Sequence, residues 1–152
     1  MYPDFITTLT LYLDQFSGGR SVLPTISWVM EEFQKHHSDI HIQKEIAVEE
    51  KEIKVSLKAV IFRILQEALS NIAKHSRADN VRICLKKLAG RLEFVIEDNG
   101  IGFDLRQASP SESSERGFGL ASMRERTELS KGRFAIESAK GKGTTLSASW
   151  LL

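Results

Sequence analysis

Residues 91–104 read RLEFVIEDNGIGFD, and the way this stretch ends governs how the chain is put together. A strand-like apolar run stops on Asp98 and Asn99, meets glycine at 100 and again at 102, and resumes on an aromatic, Phe103. Taken alone, Asn99-Gly100 reads as a hairpin turn, one of the strongest short-range signals for two antiparallel strands. A hairpin leaves the second glycine unexplained. It also leaves unexplained why the Ser- and Glu-rich segment 105–116, LRQASPSESSER, follows at once in place of a partner strand. A carboxylate at a strand end can instead accept a hydrogen bond from an exocyclic amine, as on adenine. Glycines beside it let the backbone approach a flat base.

Working outward, Val22–His37 carries Ile26, Val29, Met30 and Phe33 at helical spacing. Residues 40–46 alternate as a strand, and 52–56 fit either a second short strand or the lead into a helix. Residues 57–76, LKAVIFRILQEALSNIAKHS, form the best helix pattern, with Ser56 as its predicted N-cap. Strands are predicted at 79–88 and 91–97, joined at Ala89-Gly90. A helix is predicted from about Phe118 to Gly132, and two last strands flank KGKG at 140–143. The first 19 residues suggest a short helix ending at Gly18-Gly19. This order predicts a two-layer α/β sandwich, an α+β arrangement with helices on one face of a mixed, mostly antiparallel sheet. The long helix need not act as a parallel crossover, because the strands after it look like an antiparallel pair.

Composition sets the bounds. The 152 residues suit one domain, and 21 basic against 20 acidic residues give a net charge of +1, without the basic excess of a nucleic-acid binder. No apolar run reaches the ~18 residues of a membrane span, so membrane contact is not expected of this stretch. The one cysteine, Cys84, excludes an internal disulfide and suits a reducing cytoplasm. Its alternation with Val81, Ile83 and Leu85 puts it on the more polar face of its strand, as a bystander thiol.

Four places carry chemistry. On the long helix, Glu67, Ser70, Asn71 and Lys74 form a stripe beside the apolar face. An amide oxygen that can ligate a hard cation, an acid that can hold a metal-bound water or take a proton, and a lysine for phosphate suit a magnesium polyphosphate. From the trio alone, a solvated helix edge carrying an i,i+4 hydrogen bond between Glu67 and Asn71 is the stronger reading. The second place is Asp98 with Gly100 and Gly102. The third is GFGL, residues 117–120, where glycines at a helix start leave free N–H groups for an anion. The fourth is GKGTT, 141–145, whose Thr144 and Thr145 would offer hydroxyls.

In this order, FRILQEALSNIAKHS, EDNGIGFD, GFGLASMRER and GKGTTL resemble the N box and the glycine boxes of the GHKL superfamily, the Bergerat-fold ATP-binding domains of histidine kinases, gyrase, Hsp90-type chaperones and MutL. QEALSNIAKHS, GFGLASMRER and the upstream ISWVMEEF are most similar to sensor histidine kinases of the NarX/DesK type. The resemblance covers residues 22–152, leaving 1–21 as the tail of a preceding segment. It implies that Asp98 binds the adenine amino group, with Gly100 and Gly102 shaping the pocket. It implies that Asn71 ligates Mg²⁺ with Glu67 beside it, and that Lys74 or His75 approaches the phosphates. Gly117, Gly119 and Leu120 would meet the phosphates under a lid formed by 105–116, and Thr144 or Thr145 would line the pocket. None of His36, His37, His41 or His75 is followed by an acid in the setting of a phosphoacceptor. The expectation is therefore a catalytic domain that uses ATP and Mg²⁺ on a histidine-bearing dimerisation domain, upstream of a response regulator receiver domain, and is monomeric by itself. An anti-sigma-type serine kinase shares these boxes and needs no such histidine. A non-catalytic nucleotide-sensing module is the reading from another class.

Overall fold

The computed structural model describes residues 21–107 and 115–152; the helix predicted within the first 19 residues, the 1–21 tail but for Ser21, and most of the 105–116 segment lie outside them. Helix α1 spans Val22–His36 and buries Val22, Ile26, Val29, Met30 and Phe33, the apolar stripe that a 3.6-residue period places on one face. Ser21 makes no side-chain cap there. The Leu23 N–H instead donates to Glu50 Oε1 at 2.9 Å, and Glu50 Oε2 lies 3.2 Å from Lys58 Nζ. A carboxylate from a distant turn thus sits at the helix's positive end.

Strand β1, His41–Ala47, is followed by a 3-10 turn at Glu50–Glu52 and then by α2, Val55–Asn71. The 52–56 stretch is the lead into that helix, not a strand. Ser56 is not its cap: Lys54 holds the N-cap position without a side-chain bond, and Ser56 is already in the first turn. Helical hydrogen bonding continues past Asn71 as a π-helical turn, Ile72–Ser76, closed by Arg77 at φ 53°. Strands β2, Asn80–Leu88, and β3, Arg91–Asp98, are joined at Ala89 and Gly90, both with positive φ, the backbone of a tight hairpin turn. Helix α3, Glu115–Leu129, strand β4, Arg133–Ser138, and strand β5, Thr144–Leu151, complete the chain.

The five strands lie in the order β1-β2-β3-β5-β4. Strands β1 and β2 are parallel and every other pair is antiparallel. The long helix does form a parallel crossover after all, because β1 joins the sheet on the far side of β2 and α2 is the only connection between them. Leu92, Phe94 and Ile96 of β3 align with Trp150, Ala148 and Leu146 of β5, and Ile83 and Leu85 of β2 align with Ile96 and Phe94. All of these are buried, and with α2 they form the core between the two layers. Side chains of the flanking helices bond a few backbone groups at or beside each sheet edge. The Gln34 side chain donates to the Ile40 carbonyl and accepts from the Ile42 N–H at 3.1 Å. Arg124 stacks 5.1 Å from the Phe134 ring centre and donates to the Phe134 carbonyl at 3.3 Å. Edge groups occupied in this way cannot template pairing with another chain.

Cys84 does lie on the face away from the helices, yet it is buried, not exposed. Its neighbours across the ladder are Glu45 and Val95. Burial pushes its thiol above the usual range, with the Glu45 carboxylate adding to the effect. Among the described residues, no helix is long and apolar enough to cross a membrane.

Candidate nucleotide site

The segment EDNGIGFD is not a hairpin. Strand β3 already pairs with β2 on one side and β5 on the other, so the chain beyond Asp98 leaves the sheet at its end. Alternation along β3 puts Asp98 on the same face as Leu92, Phe94 and Ile96, turned to the helix layer and buried at 8% exposure. The same row continues across the sheet through Thr144 to Ser138, whose hydroxyls lie 2.8 Å apart. A buried carboxylate must find donors. Oδ1 of Asp98 accepts the Gly100 N–H at 2.8 Å.

Asp98 and Thr144 lie in one cleft with Asn71 and His75 from the end of α2 and its π turn, Gly102 and Phe103 from the departing loop, and Leu120 from α3. Ala68, Ile72, Ile96 and Leu146 make its apolar wall. The cleft is open on one side, and the 440 Å³ or so of non-atom space within it includes open solvent. An apolar slot with one buried acid at its base fits a flat heterocycle carrying an amine.

Not every candidate reaches it. Lys74 is exposed and does not line the cleft. The stripe that placed it beside Glu67 assumed α-helical phase, whereas the chain is π-helical from Ile72. Thr145 follows Thr144 by one residue and so faces the opposite side of the sheet, beside Gln43, Arg82 and Glu97. Gly100 does not line the cleft either. A Cβ there would overlap the Ser76 carbonyl oxygen, which accepts the Ile101 N–H at 2.7 Å. Of the two, only Gly102 has positive φ, at 62°, and a Cβ there would overlap the Ala139 carbonyl.

Helix α3 begins earlier than expected, at Glu115, not at Phe118. Gly117 is therefore in the first turn, where N–H groups lack helical partners, whereas Gly119 is inside the helix. What Gly119 provides is close approach. A Cβ on it would stand 2.9 Å from Glu67 Oε2 and 3.6 Å from Asn71 Nδ2. The third candidate segment is thereby packed directly on the first.

Three residues that brace the site were not among its sequence-based candidates. Ser76 Oγ donates to the Ile72 carbonyl at 2.7 Å and accepts the Ala78 N–H at 3.0 Å, ending the π turn. Ser138 Oγ accepts the Phe103 N–H at 3.0 Å. The Asn99 side chain bonds Asp79 and Asn80, and amide donors from Asn99 and then Asn80 hold the Asp79 carboxyl below the usual carboxylate range. Each bond joins residues far apart in the chain or depends on local backbone shape, which a linear pattern does not display.

Known proteins match this arrangement. Residues 57–152 match the family described as histidine kinase-, DNA gyrase B- and HSP90-like ATPase. The signal transduction histidine-protein kinase/phosphatase DegS of Brevibacillus brevis is 32% identical over 125 residues, 82% of this chain and 31% of that protein. The sensor histidine kinase LiaS of Bacillus subtilis is 32% identical over 128 residues, 84% of this chain and 33% of that protein. The chain thus spans about a third of the length of such relatives. Among solved structures, the histidine kinase domain of the Erythrobacter litoralis EL346 blue-light activated kinase superposes with a TM-score of 0.71 at 16% identity, over 87% of this chain and 61% of that one. The mycobacterial sensor histidine kinase MprB gives 0.59 at 20% identity, over 80% and 88%; at such identities the likeness is one of fold. With its match running from the start of α2 through β5, the chain belongs to the family of histidine kinase-, DNA gyrase B- and HSP90-like ATPases.

Proposed function

We propose that this domain binds ATP in the cleft and donates its γ-phosphate to a histidine on a separate dimerisation domain, as the catalytic part of a two-component sensor histidine kinase acting in the cytoplasm. The observation that carries the reading is the buried Asp98 carboxylate in an apolar slot that it lines together with its ladder neighbour Thr144 and with Asn71. Asp98 would accept the adenine amino group, with Ile96, Leu146 and Ile72 against the ring. Asn71, which lines the cleft, would face the phosphates, and Glu67, which does not line it, stands beside Asn71 with Gly119 packed on both. Among the described residues no group of three His, Cys, Asp or Glu could hold a metal by itself. One amide oxygen with a carboxylate nearby fits Mg²⁺ all the same, since that ion takes one or two protein oxygens and fills its octahedron with phosphate oxygens and waters. When bound, Mg²⁺ neutralises charge on the phosphates. Asn71 would hold it, Glu67 would hold a water or take a proton, and His75 would approach the phosphates. The acceptor imidazole comes from the other domain, so this chain contributes positioning and charge stabilisation. The phosphorylated histidine would then serve the receiver domain of a response regulator.

Calorimetric titration with ADP, with and without Mg²⁺ and with GDP as control, tests the site. Adenine-selective binding strengthened by Mg²⁺ supports it, and no binding refutes it. Labelled ATP with a histidine-bearing dimerisation domain tests the transfer, and label moving only to a serine of an anti-anti-sigma protein would replace the histidine reading with a serine one.

A further inference from the structure

Strand pairing between β2 and β3 ends at Val81 and Asp98, so the register alone would leave the acid on a fraying strand end. Asn99 prevents this. Its Oδ1 accepts the N–H groups of Asp79 at 3.1 Å and Asn80 at 3.0 Å, and its Nδ2 donates to Asp79 Oδ1 at 2.6 Å. Its main-chain N–H donates to the Asn80 carbonyl at 3.2 Å. Asn80 Nδ2 donates to the same Asp79 oxygen at 2.8 Å. One amide therefore extends the ladder past its last pair and ties the residue after Asp98 to the start of β2. The next residue, Gly100, gives its N–H to Asp98 Oδ1, so the direction in which Asn99 sends the chain also sets where that donor stands.

We propose that Asn99 is a positioning residue for the nucleotide: by clamping onto Asp79 and Asn80, it fixes the strand end and the Gly100 N–H that together aim the Asp98 carboxylate into the cleft. The proposal rests on the reading of the cleft as an adenine-nucleotide site. Asn99 itself is exposed and is not among the residues lining the cleft, so it acts through Asp98.

Asn99→Asp tests it with almost no change of shape. It replaces the donor facing Asp79 with a second carboxylate oxygen, and like charges at that separation repel. Asp79→Asn added to it restores a donor–acceptor pair with position 99 with the roles reversed, while the exposed Asn80 amide, which donates to the same Asp79 oxygen, turns to water. Asp79→Ala, which removes the acceptor without adding charge, is the variant to use if the first does not fold. ADP and GDP titrations are run on each protein alongside thermal unfolding. We expect Asn99→Asp to stay folded, to weaken ADP binding by roughly fivefold or more, a loss that corresponds to one displaced hydrogen bond, and to narrow the preference for ADP over GDP. The double variant should recover most of both. Unchanged ADP affinity and preference in Asn99→Asp, beside a wild type that binds, would overturn the proposal alone. So would a loss that the double variant does not repair, since a general weakening of the fold would not respond to the reversed pair. A wild type that binds no adenine nucleotide would remove the cleft reading and this proposal with it.

Discussion

Gly119→Ala pits helix stability against the site. Gly119 is the fifth residue of α3, and alanine in a helix interior is favoured over glycine by about 1 kcal/mol. The added methyl would stand 2.9 Å from Glu67 Oε2, about 0.5 Å inside ordinary contact. That atom is the far end of a half-buried, flexible side chain, so rotation of Glu67 relieves the overlap at small cost. Nothing in the backbone need move. The balance favours stability, and the unliganded domain should melt about 2–4 °C higher, the shift that ~1 kcal/mol gives a domain of this size. The relief comes from pushing Glu67 off the position it shares with Asn71, which should weaken Mg²⁺-dependent ADP binding by roughly tenfold, equivalent to about 1.4 kcal/mol. Thermal unfolding without nucleotide and calorimetry with ADP and Mg²⁺ read the two effects separately. A fall in melting temperature would refute the view that the contact is soft. A rise with unchanged binding would refute the link between Gly119 and the metal end of the cleft.

Asp98→Ala should weaken ADP by about 1.5–3 kcal/mol, the worth of a buried charged hydrogen bond, and leave GDP nearly unchanged; an equal loss for both would sink the adenine assignment. Asn71→Ala should abolish the gain that Mg²⁺ gives to ADP affinity, and a retained gain would end its role as ligand. Thr144→Ala should weaken ADP binding while Thr145→Ala should not, because the two face opposite sides of the sheet; equal effects would contradict the register. Cys84 has its thiol raised by burial, so the thiolate fraction at pH 8 lies below that of a free cysteine, and a thiol reagent should label it only as the domain unfolds. Rapid labelling of the native protein would show that face of the sheet to be open.

Local signals specified the elements wherever one residue's neighbours settle its conformation. The stripe of Ile26, Val29, Met30 and Phe33, the pattern through α2 and the Ala89-Gly90 turn are of that kind. Alternation through Leu92, Phe94 and Ile96, carried one step further, points to the inward face for Asp98, and the same step separates Thr144 from Thr145. Ser56 failed as a cap for the converse reason: its own preference is weak beside the packing of Leu57 and Ile61, which sets where the helix begins. The parallel pairing of β1 with β2 depends on how a 17-residue helix packs across the sheet, which no short pattern encodes.

Which residue types stand at the ends of strands and helices, and so which chemistry is available, can be read along the chain: an acid at the end of β3, an amide late in α2, and glycines on either side of residues 105–116. Which of them meet depends on how the layers pack. Of the two neighbours in the π turn, His75 lines the cleft and Lys74 does not. Gly100 owes its place to a carbonyl 24 residues earlier, and Asn99 to two residues at the start of another strand. Such contacts depend on distances across the fold, and these exist only once the layers have packed.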